Sequence, residues 1–218
     1  MKNMKLLLLL GLLPLQIHAQ DNPTSEIVNP KGNLYLGAEI GTNTITSFSH
    51  NGPDKSFQAG ILAEYYFAKQ WSVAGRIKYF ETGVSFSKDS YSGAYFGQEG
   101  FAGIFKGAVI AIPVNIKWEY RVYKNLRGNL KLGLAYNYEI KSHYDFSYNL
   151  STDHSKHFAS LNSGIGMTYF LNKKLAVYFD YENYDWGGYK GNSKSLFSKN
   201  YYTENNLINL GIKYNFKK

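Results

Sequence analysis

Eight stretches of this chain alternate apolar and polar residues with a period of two, and in each of them one face is predominantly apolar or aromatic. Successive side chains leave an extended strand on opposite sides, so this period specifies strands and leaves almost no helical periodicity to explain. Near 34–46, Leu34, Leu36, Ala38 and Ile40 oppose Tyr35, Gly37, Glu39, Gly41 and Asn43. Near 107–120, Ile110, Ile112, Val114, Ile116, Trp118 and Tyr120 oppose Ala111, Asn115, Lys117 and Glu119. The same pattern recurs near 56–67, 71–81, 129–139, 157–170 and 174–184, and again in the terminal "LINLGIKYNF". The segments run about 10–14 residues, a length that suits a tilted strand crossing a bilayer. Strands of soluble sandwiches are typically about 5–6 residues long.

The links between segments give an independent test. After the second, fourth and sixth come short ones: "AKQ", the stretch from Arg121 to Gly128, and "LNKK". After the first, third, fifth and seventh come longer ones, among them 82–106, 140–156 and 185–204. Alternating short and long links are the pattern of a transmembrane barrel with brief periplasmic turns and extended extracellular loops. The aromatics agree. Segments two, four, six and eight end in "EYYF", "KWEY", "MTYF" and "KYNF". Their outward rings are Tyr65 and Phe67, Trp118 and Tyr120, Tyr169, and Tyr214 and Phe216, and Trp71 joins them at one membrane interface. Tyr79, Tyr136, Tyr138 and Tyr181 fall at the other end. Amphipathic rings sit at headgroup level, so two belts flanking an aliphatic band fit a bilayer. The expected fold is all-β: a monomeric, eight-stranded, antiparallel transmembrane β-barrel over residues 34–216, with both termini periplasmic.

The start of the chain supports export. Met1 to Lys5 is basic, Leu6 to Leu15 is apolar apart from Gly11 and Pro14, and Ala19 precedes polar Gln20. This is a secretory signal peptide over 1–19, too short to span as a helix. Residues 20–33, with Pro23 and Pro30, are expected to form a flexible periplasmic lead-in. The chain has no cysteine, which removes disulfides, a lipidated cysteine and thiolate metal sites. The formal net charge is +8, about +6 once Lys2 and Lys5 leave with the signal. Export excludes nucleic acid as the partner and makes anionic headgroups the natural one.

The stretch "AIPVNIKWEY", with Pro113 early in the fourth segment, and the terminal "NLGIKYNF" resemble the small outer-membrane β-barrel family common in Bacteroidota, which includes PorT-like, OmpA-like and OmpX-like eight-stranded barrels. The resemblance spans about residues 30–216. It implies location in the cell outer membrane, contact with outer-membrane lipid and lipopolysaccharide, and a terminal aromatic read by the barrel-assembly machinery. Here Phe216 is followed by Lys217 and Lys218. It also implies a non-enzymatic structural, adhesive or accessory role through the extracellular loops, where a protein partner would dock. The alternatives are a PorT-like component of a protein secretion apparatus, a lipid A-modifying barrel enzyme, or passage of small solutes.

The inward face carries the candidate site. Glu39, Glu64, Arg76, Lys78, Lys117, Glu119, Lys131, Glu139, Asp180, Glu182 and Lys213 all fall on it. An eight-stranded barrel holds little beyond its own side chains, so these residues are expected to form an ion-pair network that fills the lumen. A sharper alternative is a narrow gated conduit in which Arg76 and Glu64, on adjacent strands, exchange partners. Pro113 cannot donate to a ladder, and a bulge is expected at Ile112–Pro113. Asp153, Ser155, His157 and Ser160 could build a serine–histidine site, but serine is abundant here and no nucleophile-elbow pattern occurs. His154 and His157 lie three apart, too little for a metal site. No catalytic residue, metal or cofactor is assigned.

Overall fold

A computed structural model describes residues 27–47, 54–86, 103–146, 156–185 and 203–216. They form eight strands: β1 (Leu34–Ser47), β2 (Asp54–Tyr66), β3 (Trp71–Phe86), β4 (Gly103–Tyr123), β5 (Leu126–Phe146), β6 (His157–Phe170), β7 (Leu175–Asp185) and β8 (Thr203–Asn215). Each strand pairs with its neighbours in sequence, and β1 pairs with β8, so the sheet closes into an antiparallel barrel. Closure leaves no sheet edge along the wall, which is what hydrocarbon demands of a spanning sheet. The alternation sorts as period two dictates. Ile40, Ile61, Ile77, Val114, Leu134, Ile165 and Leu210 face outward and are exposed, while Glu39, Glu64, Arg76, Asn115 and Lys131 are buried inside.

Three links are tight: 67–70, the two residues Lys124 and Asn125, and 171–174. Lys124 takes a φ of 40°, left-handed backbone of the kind that short hairpin turns demand. All three links lie at the end of the barrel that holds residues 27–33 and Phe216, and this end is called the short-turn end below. The expected link from Arg121 to Gly128 is therefore mostly strand. Arg121 pairs with Arg127 across the hairpin, and Gly128 lies beneath the Tyr120 ring, whose hydroxyl would stand 2.6 Å from a Cβ at that position.

One further expectation is corrected. The register does not shift at Pro113: the β4–β5 ladder runs straight through Pro113 and Ala135. Instead the β3–β4 ladder passes from Gly75–Val114 to Lys78–Ala111, skipping Ile112 and Pro113. A missing N–H interrupts the ladder on one side of a strand without displacing the chain. The shifts in the β4–β5 ladder fall at its two ends: between Ala108 and Val109, where Ile140 is the extra residue of β5, and between Arg121 and Tyr123, where Val122 is the extra residue of β4. Rims are where bulges concentrate. The described part of the lead-in, 27–33, lies against the barrel mouth. Val28 is buried, its N–H donates to Asn125 Oδ1 at 3.0 Å, and Gly32 N–H donates to Tyr66 O at 2.7 Å. The rest of the lead-in and the 1–19 segment lie outside the described residues.

Over the described residues, strand lengths are uneven. β3, β4 and β5 have 16, 21 and 21 residues, against 11 to 14 in the others, longer for β4 and β5 than the alternation indicates. The excess lies at the end away from the short turns, where Phe86 pairs with Gly103 and Gly103 with Phe146.

Candidate functional site

The lumen is built from inward residues that register sorts into layers. In the layer nearer the middle, Arg76 on β3 reaches Glu182 on β7 at 2.6 Å and Asp180 at 2.7 Å, and its Nε lies 3.4 Å from Glu39 on β1. Strands β3 and β7 stand four apart in a ring of eight, so this contact crosses the full diameter. Lys78 contacts Glu39 at 2.5 Å and also Glu182, and Lys131 on β5 meets Asp180 and Glu182 at 2.6 Å each. Three cations thus face three carboxylates, all from odd-numbered strands. Alternate strands contribute to one layer because the strands of a barrel are staggered.

The second layer, nearer the short-turn end, draws mainly on even-numbered strands. Glu64 accepts from Lys117 and Lys213 at 2.6 Å each and from Ser72 Oγ at 2.7 Å. Lys117 also meets Glu119 at 2.8 Å, and the Tyr66 hydroxyl donates to Glu119 at 2.8 Å. Lys213 donates to Tyr66 OH at 2.8 Å and lies within 5.1–6.0 Å of the Tyr35, Tyr66, Phe170 and Tyr178 ring centres. Tyr178 joins the layers, donating to Glu39 at 2.8 Å. Its ring needs Gly211 opposite it: a Cβ there would stand 2.5 Å from the Tyr178 hydroxyl oxygen.

Below the second layer, Tyr35, Tyr66 and Phe170 pack edge to face, with Val28 and Ala176 completing the cluster. Arg127 fastens residues 27–33 over it, donating to Val28 O at 2.8 Å and Lys69 O at 2.7 Å, with Glu119 3.6 Å away. Toward the other end the lining changes to amides and hydroxyls. Asn43 donates to Asn205 at 2.7 Å, Thr82 to Asn205 at 3.0 Å, and Asn137 to Ser160 at 2.8 Å. Gln58, Asn115 and Asn209 are fully buried, and neither polar atom of their side chains has a hydrogen-bond partner among the described residues.

All ten charged residues assigned to the lumen, Glu39, Glu64, Arg76, Lys78, Lys117, Glu119, Lys131, Asp180, Glu182 and Lys213, are buried inside, as is Glu139 at the amide-lined end. Arg76 and Glu64 are not brought together. Leu62, not Glu64, pairs with Arg76, and the two charges belong to different layers. Sequence reasoning missed Arg127, which was placed in a link, and gave the inward Tyr35, Tyr66 and Tyr178 no part in the network. The available signal for Tyr178 was a tyrosine facing a glycine across a strand pair. Of the outward aromatics, Tyr65, Phe67, Trp71, Tyr120, Tyr169, Tyr214 and Phe216 are exposed at the short-turn end, and Trp118 is half-buried against Tyr120, with ring centres 5.4 Å apart.

Among the described residues, His157 and Ser160 are not brought together. His157 lies on the outer surface, stacked on Tyr138 at 4.6 Å with Nδ1 2.5 Å from the Tyr136 hydroxyl, whereas Ser160 is buried in the lumen. Asp153, His154 and Ser155 lie outside the described residues. Among the described residues, no group of three His, Cys, Asp or Glu side chains could hold a metal ion.

A closed barrel with an apolar outer band and a charged, cross-braced interior defines an integral membrane β-barrel. The chain belongs to the outer membrane protein beta-barrel domain family, whose model matches residues 6–216, and it is an outer-membrane protein. Solved structures with this fold include Neisserial surface protein A, at 14% identity and TM-score 0.53, covering 84% of this chain and 97% of that one. Another is OprG from Pseudomonas aeruginosa, at 14% identity and TM-score 0.52, covering 88% and 100%. No curated protein matches the sequence.

Proposed function

We propose that this is a monomeric, non-enzymatic outer-membrane barrel whose lumen is a brace and whose work is done at its external end, in a structural, adhesive or accessory role. The observation that carries this reading is the uneven strand length. Among the described residues, β3, β4 and β5 continue past the other strands as a three-stranded projection, a platform for the link segments they bear. Link segments mounted on rigid strands are the usual place for recognition. The bracing of the lumen supports it from the other side, because an interior filled by mutual ion pairs has no space for transport.

In this reading the short-turn end faces the periplasm, following the general build of such barrels. Tyr65, Phe67, Trp71, Trp118, Tyr120, Tyr169, Tyr214 and Phe216 form the inner aromatic belt, and Phe216 serves the assembly machinery. Lipopolysaccharide and a protein partner meet the external end. The separation of Ser160 from His157 supports the absence of catalysis.

The test replaces Ser85–Lys106 by a short turn and compares that strain with wild type and with a full deletion. The expected result is a barrel that still shows heat-modifiable migration, unchanged lipid A mass and unchanged cargo secretion, with loss of attachment to surfaces or partner cells. Altered lipid A would favour an enzyme, and lost secretion would favour a PorT-like apparatus.

A further inference from the structure

The short-turn rim is charged in one sense only. Lys31, Lys69, Arg121, Lys124, Lys173 and Lys174 are exposed there, and no Asp or Glu is exposed among the described residues of that rim. At the opposite end the signs mix, with Glu81 exposed among Lys55, Lys106, Lys141 and Lys156. Five of the six cations come from the docked segment and the three tight turns, and Arg121 from the end of β4, so they ring the mouth rather than crowd one side of it.

Their depth is set by their neighbours. Arg121 directly follows Tyr120, Lys69 lies two residues past Phe67, and the Lys124 ammonium sits 5.4 Å over the Tyr123 ring. At about 3.3 Å per residue, the charges stand roughly 3–7 Å beyond rings that favour the headgroup level. That is the depth of lipid phosphates. The ring is also held in place. Arg127 donates to the carbonyl of Lys69 at 2.7 Å, the Tyr35 hydroxyl donates to that of Lys173 at 3.1 Å, and Asn172 Oδ1 accepts from Lys174 N and Leu175 N at 2.8 and 2.9 Å. Buried groups thus fix the backbone of two turns while their lysine side chains point into solvent. Arg121 adds a planar fork suited to two phosphate oxygens at once.

We propose that this rim is a binding surface for the phosphodiester headgroups of anionic phospholipids in the leaflet it faces, the inner leaflet of the outer membrane. The choice of leaflet rests on the orientation given above. Clustered Lys and Arg beside a bilayer favour anionic over zwitterionic lipid through unscreened attraction within a Debye length.

The test uses the full mature chain with Trp186→Phe, leaving Trp71 and Trp118, both at this rim, as reporters. The barrel is reconstituted in phosphatidylcholine containing an equal minor fraction of dibrominated phosphatidylglycerol or of dibrominated phosphatidylcholine, and tryptophan quenching gives the relative affinity. The expected result is about a fivefold preference for phosphatidylglycerol, the size of effect one basic side chain near an anionic surface produces. The preference should fall with added salt and disappear in K69Q/R121Q/K124Q/K173Q/K174Q. It should persist in K106Q/K141Q/K156Q, at the opposite rim. Equal quenching by both lipids, or a preference that survives in the short-turn-rim variant while its heat-modifiable migration shows a folded barrel, overturns the proposal. A separate arm labels Lys124→Cys with an impermeant reagent. Labelling only after the outer membrane is permeabilised is expected. Labelling of intact cells overturns the inner-leaflet source and the orientation it rests on, independently of the quenching result.

Discussion

The lumen near the short turns and the lumen near the long links use different chemistry to fill the same kind of space. Below, the described charges interlock: Arg76, Lys78 and Lys131 with Glu39, Asp180 and Glu182, then Lys117, Lys213 and Arg127 with Glu64 and Glu119. Above, asparagine, glutamine, threonine and serine predominate, with Glu139 and the Phe80 and Tyr184 rings among them, and Gln58 and Asn209 flank Gly41 with no protein partner among the described residues. The difference follows from the cost of desolvation. A buried ion costs several kcal/mol unless another ion answers it, so charges must be placed in mutually compensating sets. A buried amide costs less, and water in a polar cavity satisfies it. The charged half is therefore fixed in one arrangement, whereas the amide half tolerates change.

The largest break in that contrast should come from Glu182→Ala. It leaves Arg76, Lys78 and Lys131 facing only Glu39 and Asp180. Uncompensated buried charge predicts a loss of about 3–5 kcal/mol, read as a shift in urea unfolding in lipid vesicles followed by heat-modifiable migration. Lys213→Met should cost somewhat less, about 2–4 kcal/mol, because an apolar chain of similar length still packs among Tyr35, Tyr66 and Phe170 while Glu64 retains Lys117. Val28→Ala removes part of the cap over the aromatic cluster, and about 1–2 kcal/mol is expected. Asn209→Leu lies at the bottom of the scale, within about 1 kcal/mol of wild type, since no protein hydrogen bond is lost. An Asn209 variant as damaging as the Glu182 variant would erase the distinction between the halves.

Which residues face inward was legible from the sequence, because parity along a strand needs no knowledge of its neighbours. All eight strands and all ten assigned charges follow from it. Partnership was not legible. Glu64 and Arg76 sit on adjacent strands, yet the register sets Leu62 opposite Arg76, and barrel stagger sends the two charges to different layers. Parity contains no stagger. The link between β4 and β5 was expected but drawn too wide for a local reason: its turn is Lys124–Asn125, lacking the Asn-Gly signal, and Gly128 suggested a link where it instead makes room for Tyr120. The docking of residues 27–33 was hidden because Val28 acquires its apolar site only when β1, β2 and β6 converge at the barrel mouth.

A lumen braced across its diameter and capped at one mouth should carry no current. Single-channel recording of the purified mature barrel in a planar bilayer tests this most directly. The expected record is a flat baseline at all applied voltages, in wild type and in Asn209→Leu alike. A stable, ohmic conductance in the wild-type protein would contradict a lumen closed by its own ion pairs.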